Sequence, residues 1–198
     1  MPAQLSPDQP PVLLIHGIAD SERNMQWLAR HLRQEGREVY TLSLKPNWGQ
    51  KGLGVLAQQI DDFAQAQFGQ RKFDLVGFSM GGLVSRYYVQ RLGGLERVDH
   101  LVTISAPHNG TIVANLIGFQ GCREMRPGSA FLADLNTDVD RLRTIKFTSL
   151  YTPLDLIILP ARSSEMAQAQ NIRILNIGHP FMIFDRRCLR AVSEALRA

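Results

Sequence analysis

Ser79 stands at the centre of Gly77-Phe78-Ser79-Met80-Gly81, a hydroxyl with a glycine two residues to either side. A largely apolar run, Phe73 to Val76, leads into it, and Leu83 to Leu92, spaced as a helix, leads out. A serine on such a strand-to-helix turn is held on a sharp bend, and small residues on both sides let strand and helix approach that closely. A chain with 16 glycines would show the five-residue pattern by chance only about 0.07 times. The chemistry it points to is nucleophilic attack on an acyl carbonyl. A serine hydroxyl is a weak nucleophile, so a base must take its proton and a carboxylate must orient that base.

Five histidines compete to be the base. His31 lies in a segment of helical period, His100 begins a strand-like run, and His16 closes the first such run, upstream of the serine. His108 follows the serine too closely to leave room for an acid in the order serine, acid, histidine. His179, in Gly178-His179-Pro180, lies past the last strand-like run and before a C-terminal helix, and is the expected base. The expected acid is Asp155, which closes the preceding run and is the one acidic residue between Asp140 and Glu165. Asp134, Asp138 and Asp140 read as solvated charges. The intermediate's oxyanion needs backbone donors, one after the nucleophile and one from an earlier loop. Met80 and Ile18 occupy those places, the latter in His16-Gly17-Ile18.

Positioning these residues calls for alternating strands and helices. Short β-rich runs at Val12 to His16, Glu38 to Leu44, Phe73 to Phe78, His100 to Ser105, Thr144 to Tyr151 and Asn171 to Ile177 alternate with helical spacings around Met25 to Leu32, Leu56 to Phe63, Leu83 to Arg91 and Leu189 to Leu196. That is the pattern of βα units around a parallel sheet. The stretch 106–143 carries helical patches at Ile112 to Ile117 and Ser129 to Leu135, where a lid could sit. At 198 residues the chain fits one domain, 1–198, and its 44% apolar and 20% charged composition is that of a globular protein. The net charge of +4 serves solubility or draws the chain to an anionic membrane surface. Basic residues are scattered without interleaved aromatics, which argues against nucleic acid. Cys122 and Cys188 match no metal or redox spacing and are expected as separate thiols. Met1 to Pro11 has four prolines and no apolar run, so no signal peptide or membrane span is expected there, and the expected location is cytoplasmic.

Leu13-Leu14-Ile15-His16-Gly17-Ile18, Gly77-Phe78-Ser79-Met80-Gly81-Gly82 and Ala106-Pro107-His108-Asn109-Gly110-Thr111 together resemble the small lidless lipases and esterases of the α/β-hydrolase superfamily. The resemblance implies a minimal α/β fold of about six mostly parallel strands flanked by helices, without a cap domain. It implies a triad of Ser79, Asp155 and His179, acyl-enzyme chemistry, no metal and no organic cofactor. It further implies that acyl chains meet apolar rim residues: Ile18, Phe78, Ile157, Phe181 and Met182, with Met80 beside them. An acyl ester or lipid, including a membrane glycerolipid, is the expected substrate. The same triad would also cleave thioesters or amides, and a non-catalytic α/β module is the rival reading.

Overall fold

The computed structural model describes residues 9–198. The expectation for Met1 to Pro11 falls, as far as Asp8, outside the described residues. Six strands, β1 (Val12–Ile15), β2 (Val39–Leu42), β3 (Phe73–Phe78), β4 (Val98–Ile104), β5 (Lys146–Tyr151) and β6 (Gln170–Arg173), form one sheet in the order β2-β1-β3-β4-β5-β6. Every neighbouring pair is parallel. All six residues of β3 are buried, which is why this strand reads as nearly all apolar, Asp74 being the exception. Period-two alternation divides the side chains between two cores. Leu13, Ile15 and Leu75 face a layer built from α2 (Leu53–Phe68) and α3 (Met80–Arg91), while Val12, Leu14 and Val76 face α1 (Glu22–Gln34) and the C-terminal helix Arg186–Ala195. The architecture is that of an α/β-hydrolase sheet flanked by helices, with no cap domain among the described residues.

Short elements fill the long crossing after β4. A 3-10 turn covers Ile112–Leu116, and after α4 (Gly94–Arg97) come α5 (Gln120–Glu124) and α6 (Ala130–Asn136), so the C-terminal helix is α7. The fully buried Arg86 of α3 ties this crossing down, donating to the carbonyls of His108 and Leu135, to Asn136 Oδ1 and to Gln90 Oε1. Burial, and then neighbouring Arg91, lower its pKa to about 10. Asp138 differs from the expected solvated charge: it accepts hydrogen bonds from Arg91 and Gln90.

The last strand is shorter than its β-rich sequence predicts. The ladder continues to Ile174, whose N–H donates to Tyr151 O. The Thr152 hydroxyl then intervenes, accepting from Asn176 N and donating to Asn176 O at 3.0 Å. Side-chain hydrogen bonding replaces the ladder here, and Leu175 and Ile177 turn out to solvent. Among the described residues no helix is long and apolar enough to cross a membrane.

Strand order reverses at β1, with β2 on one side and β3 on the other. At such a switch point the loops leaving the carboxyl ends of two strands diverge and open a crevice. His16 to Ile18 leave β1 there, and Ser79 leaves β3.

Candidate active site

Ser79 sits between β3 and α3 at φ 54°, ψ −124°, a conformation costly for any residue with a side chain. The flanking glycines are required by contact. A Cβ on Gly77 would lie 2.6 Å from Gly81 O and from the Gly82 Cα, and one on Gly81 would lie 2.3 Å from His16 O. Any side chain at either place would drive the helix off the strand and carry Ser79 with it. Among the described residues only Ala19, Ser79 and Ser105 combine a side chain with positive φ, and they follow β1, β3 and β4 at the same end of the sheet.

Asp155 and His179, which the sequence places on separate loops, are brought together: His179 Nδ1 lies 2.8 Å from Asp155 Oδ2. The other carboxylate oxygen accepts the N–H groups of Ile157 at 2.9 Å and Ile158 at 2.8 Å. A carboxylate fixed at both oxygens holds the ring so that Nδ1 carries the hydrogen and Nε2 stays a free acceptor. Both residues are buried, and the Phe78 ring, next in sequence to Ser79, lies 4.9 Å from the imidazole centroid to centroid. The imidazole is thereby walled on one side by the strand that leads to Ser79.

The two amides read as oxyanion donors are both unspent. Among the described residues neither Ile18 N–H nor Met80 N–H has a protein acceptor, and α3 has no side-chain cap. Gly17 brings their loops together, since a Cβ there would lie 3.1 Å from Ser79 Cβ. His16, set aside as a base by its place in the chain, has a different role. Its Nε2 accepts Leu44 N–H at 2.9 Å and its Nδ1 donates to Gly17 O at 2.7 Å. Gly17 O and Ile18 N belong to one trans peptide and point in opposite directions. Holding the carbonyl therefore aims the amide.

Of the rim residues, Ile157 and Phe181 are about half exposed and Ile18 is partly buried. Met182 does not belong with them. It is fully buried in the core beneath α1 and α7, because the 3-10 turn His179–Phe184 presents successive residues about a third of a turn apart and sends Met182 inward while Phe181 and Phe184 face out. Met80, too, is fully buried, its side chain in the core beneath α2 and α3. His108 is fully buried with Nε2 on the Thr103 hydroxyl, and burial together with Arg86 keeps its ring well below the usual histidine range. It is a neutral core residue.

Sequence reading missed Thr111. Its hydroxyl donates to Ile157 O at 2.7 Å and accepts Leu159 N–H at 3.0 Å, while its own N–H bonds Met125 O. One small side chain thus clips the loop that carries Asp155 to the crossing after β4. A threonine amid loop residues gives no signal of such a role. Among the described residues Asp74, Asp99 and His100 come close enough to share a cation, yet Asp74 already spends one oxygen on Arg37 and the other on His100. The cluster lies at the amino end of the strands, away from Ser79. Cys122 and Cys188 are separate buried thiols.

Known proteins share this arrangement of elements. The mature form of the Bacillus licheniformis lipase BlEst2 superposes with a TM-score of 0.81 at 17% identity, covering 99% of this chain and 95% of that one. Aspergillus fumigatus lipase B gives 0.82 at 14% identity, with 100% of this chain and 55% of that one covered. In sequence, the palmitoyl-protein thioesterase 3 of Dictyostelium discoideum is 28% identical over 106 residues, 50% of this chain and 36% of the relative. A triacylglycerol lipase of Pseudarthrobacter phenanthrenivorans is 29% identical over 116 residues, again covering 36% of the relative. The matches thus span about a third of these curated relatives. A family model, palmitoyl protein thioesterase, matches residues 11–154, which hold β1 to β5, the serine turn and the loop up to the residue before Asp155, and by this match the chain belongs to that family.

Proposed function

We propose that this protein is a serine hydrolase that cleaves carboxylic acyl esters through an acyl-enzyme intermediate. The observation that carries the reading is the pairing of Asp155 with His179 beside a serine held in a strained turn. In the proposed reaction His179 Nε2 takes the Ser79 hydroxyl proton as Oγ attacks the acyl carbon. The oxyanion that forms accepts the N–H groups of Ile18 and Met80. Collapse of this intermediate breaks the bond to the leaving group, which receives the proton from His179. Water, deprotonated by His179, then releases the acid and restores Ser79. His179 is held through Nδ1 by Asp155, and a hydrogen bond from the Ser79 hydroxyl to Nε2 is expected to form when substrate binds.

The Ser79→Ala protein is expected to lose hydrolysis of p-nitrophenyl esters by about 10⁴-fold or more and to lose labelling by a fluorophosphonate. Wild-type turnover in that variant would remove Ser79 from the mechanism. The matching family model favours a second reading on the same site, acyl thioester cleavage. The triad does not choose the leaving group, so rates on an oxygen ester and a thioester of the same acid decide between the two. Esters of graded acyl length, measured beside membrane glycerolipids, define the acyl preference.

A further inference from the structure

Exposed apolar side chains are distributed very unevenly. Apart from Trp27 and Val55, every large exposed apolar residue among the described residues lies in a loop leaving the carboxyl end of a strand. The extremes are Leu116 at 83%, Ile177 at 78% and Leu156 at 75% exposure, one from each of the loops after β4, β6 and β5. Soluble monomers rarely gather so much exposed apolar surface at one place without a partner for it.

The same loops lack exposed charge. Residues 112–122 have no Asp, Glu, Lys or Arg, residues 152–161 have only the buried Asp155, and residues 174–184 have only the buried His179 as an ionisable group. Exposed arginines flank these stretches: Arg123 follows the first, Arg162 follows the second and Arg173 precedes the third. Among the described residues none of the three has an ion pair. Of the neighbouring acids, Glu124 accepts Leu53 N–H and Asp185 pairs with Arg187, while Glu165, three residues after Arg162, lies beside Tyr151.

We propose that this collar docks on the surface of an anionic phospholipid bilayer. An uncharged apolar patch rimmed by unpaired arginines complements acyl chains beneath anionic headgroups, each such cation contributing favourably near the surface. The collar also lies at the end of the sheet where Ser79 leaves β3, so a rigid protein face seated on it would hinder substrate, whereas a fluid bilayer would present acyl chains there. The proposal shares a site with the hydrolase reading but stands on exposure and charge alone, so its test is made without turnover.

The full chain with Ser79→Ala is expected to sediment with vesicles of phosphatidylcholine mixed with phosphatidylglycerol, and more weakly with phosphatidylcholine alone. Adding Leu116→Ser, Leu156→Ser and Ile177→Ser should weaken vesicle binding by about a hundredfold, because each change removes one large aliphatic group from the contact. The three substitutions placed in the chain with Ser79 intact should leave turnover of a water-soluble ester unchanged, which checks that the fold survives. Binding that is undetectable in the parent, or equal in parent and triple variant, overturns the proposal. So does a concentration-dependent dimer of the parent that the triple variant abolishes, since the collar would then be covered by a second copy.

Discussion

At the scale of single residues, Asp155 is the most informative position because its two oxygens do separate things. Oδ1 is tied to its own loop through Ile157 and Ile158, and Oδ2 holds His179. Asp155→Asn keeps the size and the loop contacts, but an amide nitrogen facing Nδ1 favours the ring with its hydrogen on Nε2, the wrong tautomer for a base. Turnover is expected to fall by about 10⁴-fold with little change in melting temperature, as read by paired kinetics and thermal unfolding. An equal loss of both would make Asp155 a structural residue only. His16 offers a milder case, since it aims an amide and does not touch the reacting atoms. His16→Phe should lower kcat by about 10- to 1,000-fold, at most the cost of removing one oxyanion donor, and leave fluorophosphonate labelling measurable.

At the scale of elements, the loops that bring the site together are held by contacts remote in sequence, and this decides what could be read beforehand. Ser79 was legible because its turn imposes local demands, glycines at fixed offsets between a strand and a helix. Asp155 and His179 were legible from their order after successive strands, although the hydrogen bond between them was not. Thr111 stayed hidden because its partners, Ile157 and Leu159, lie some 46 and 48 residues away, and no pattern in a loop encodes such a contact. Met182 misled for a related reason: its apolar neighbours Phe181 and Ile183 look alike in sequence, and only the 3-10 turn decides which face inward. The clip itself can be tested. Thr111→Val keeps the shape and removes the hydroxyl, leaving the Ile157 carbonyl and Leu159 amide without their partner, at a cost of roughly 1–3 kcal/mol. If the clip positions Asp155, kcat should fall while KM changes little, and Thr111→Ser should restore most of it. A loss of stability with kcat unchanged would assign Thr111 to the fold alone.

At the scale of the whole molecule, the two ends of the sheet have opposite tasks. The carboxyl end gathers the strained residues, the unspent amides and the apolar collar. The amino end is closed by a buried polar network that joins distant parts of the chain. Asp74 of β3 meets Arg37 before β2 and His100 in β4; Arg37 also donates to the carbonyls of Pro10 and Leu196, and His100 Nε2 lies 3.4 Å from Ala198 O. Burial works against a charged His100 ring, but its hydrogen bond and attraction to Asp74 outweigh burial and raise its pKa above the ordinary 6.5. Because the folded value is the higher one, protonation of His100 favours the fold. That contribution is complete below the unfolded pKa and fades as pH rises through the folded pKa. Asp74 also keeps its contact with Arg37 when His100 gives up its proton. His100→Gln can still donate a hydrogen bond to Asp74 but cannot take up the charge. The variant should therefore melt well below wild type at about pH 6 and below, and approach it as pH rises through the raised folded value of the wild-type ring, where that ring gives up its proton. Thermal unfolding of both proteins across that range measures the difference, and a gap that is constant with pH would show that His100 acts there by packing and hydrogen bonding alone.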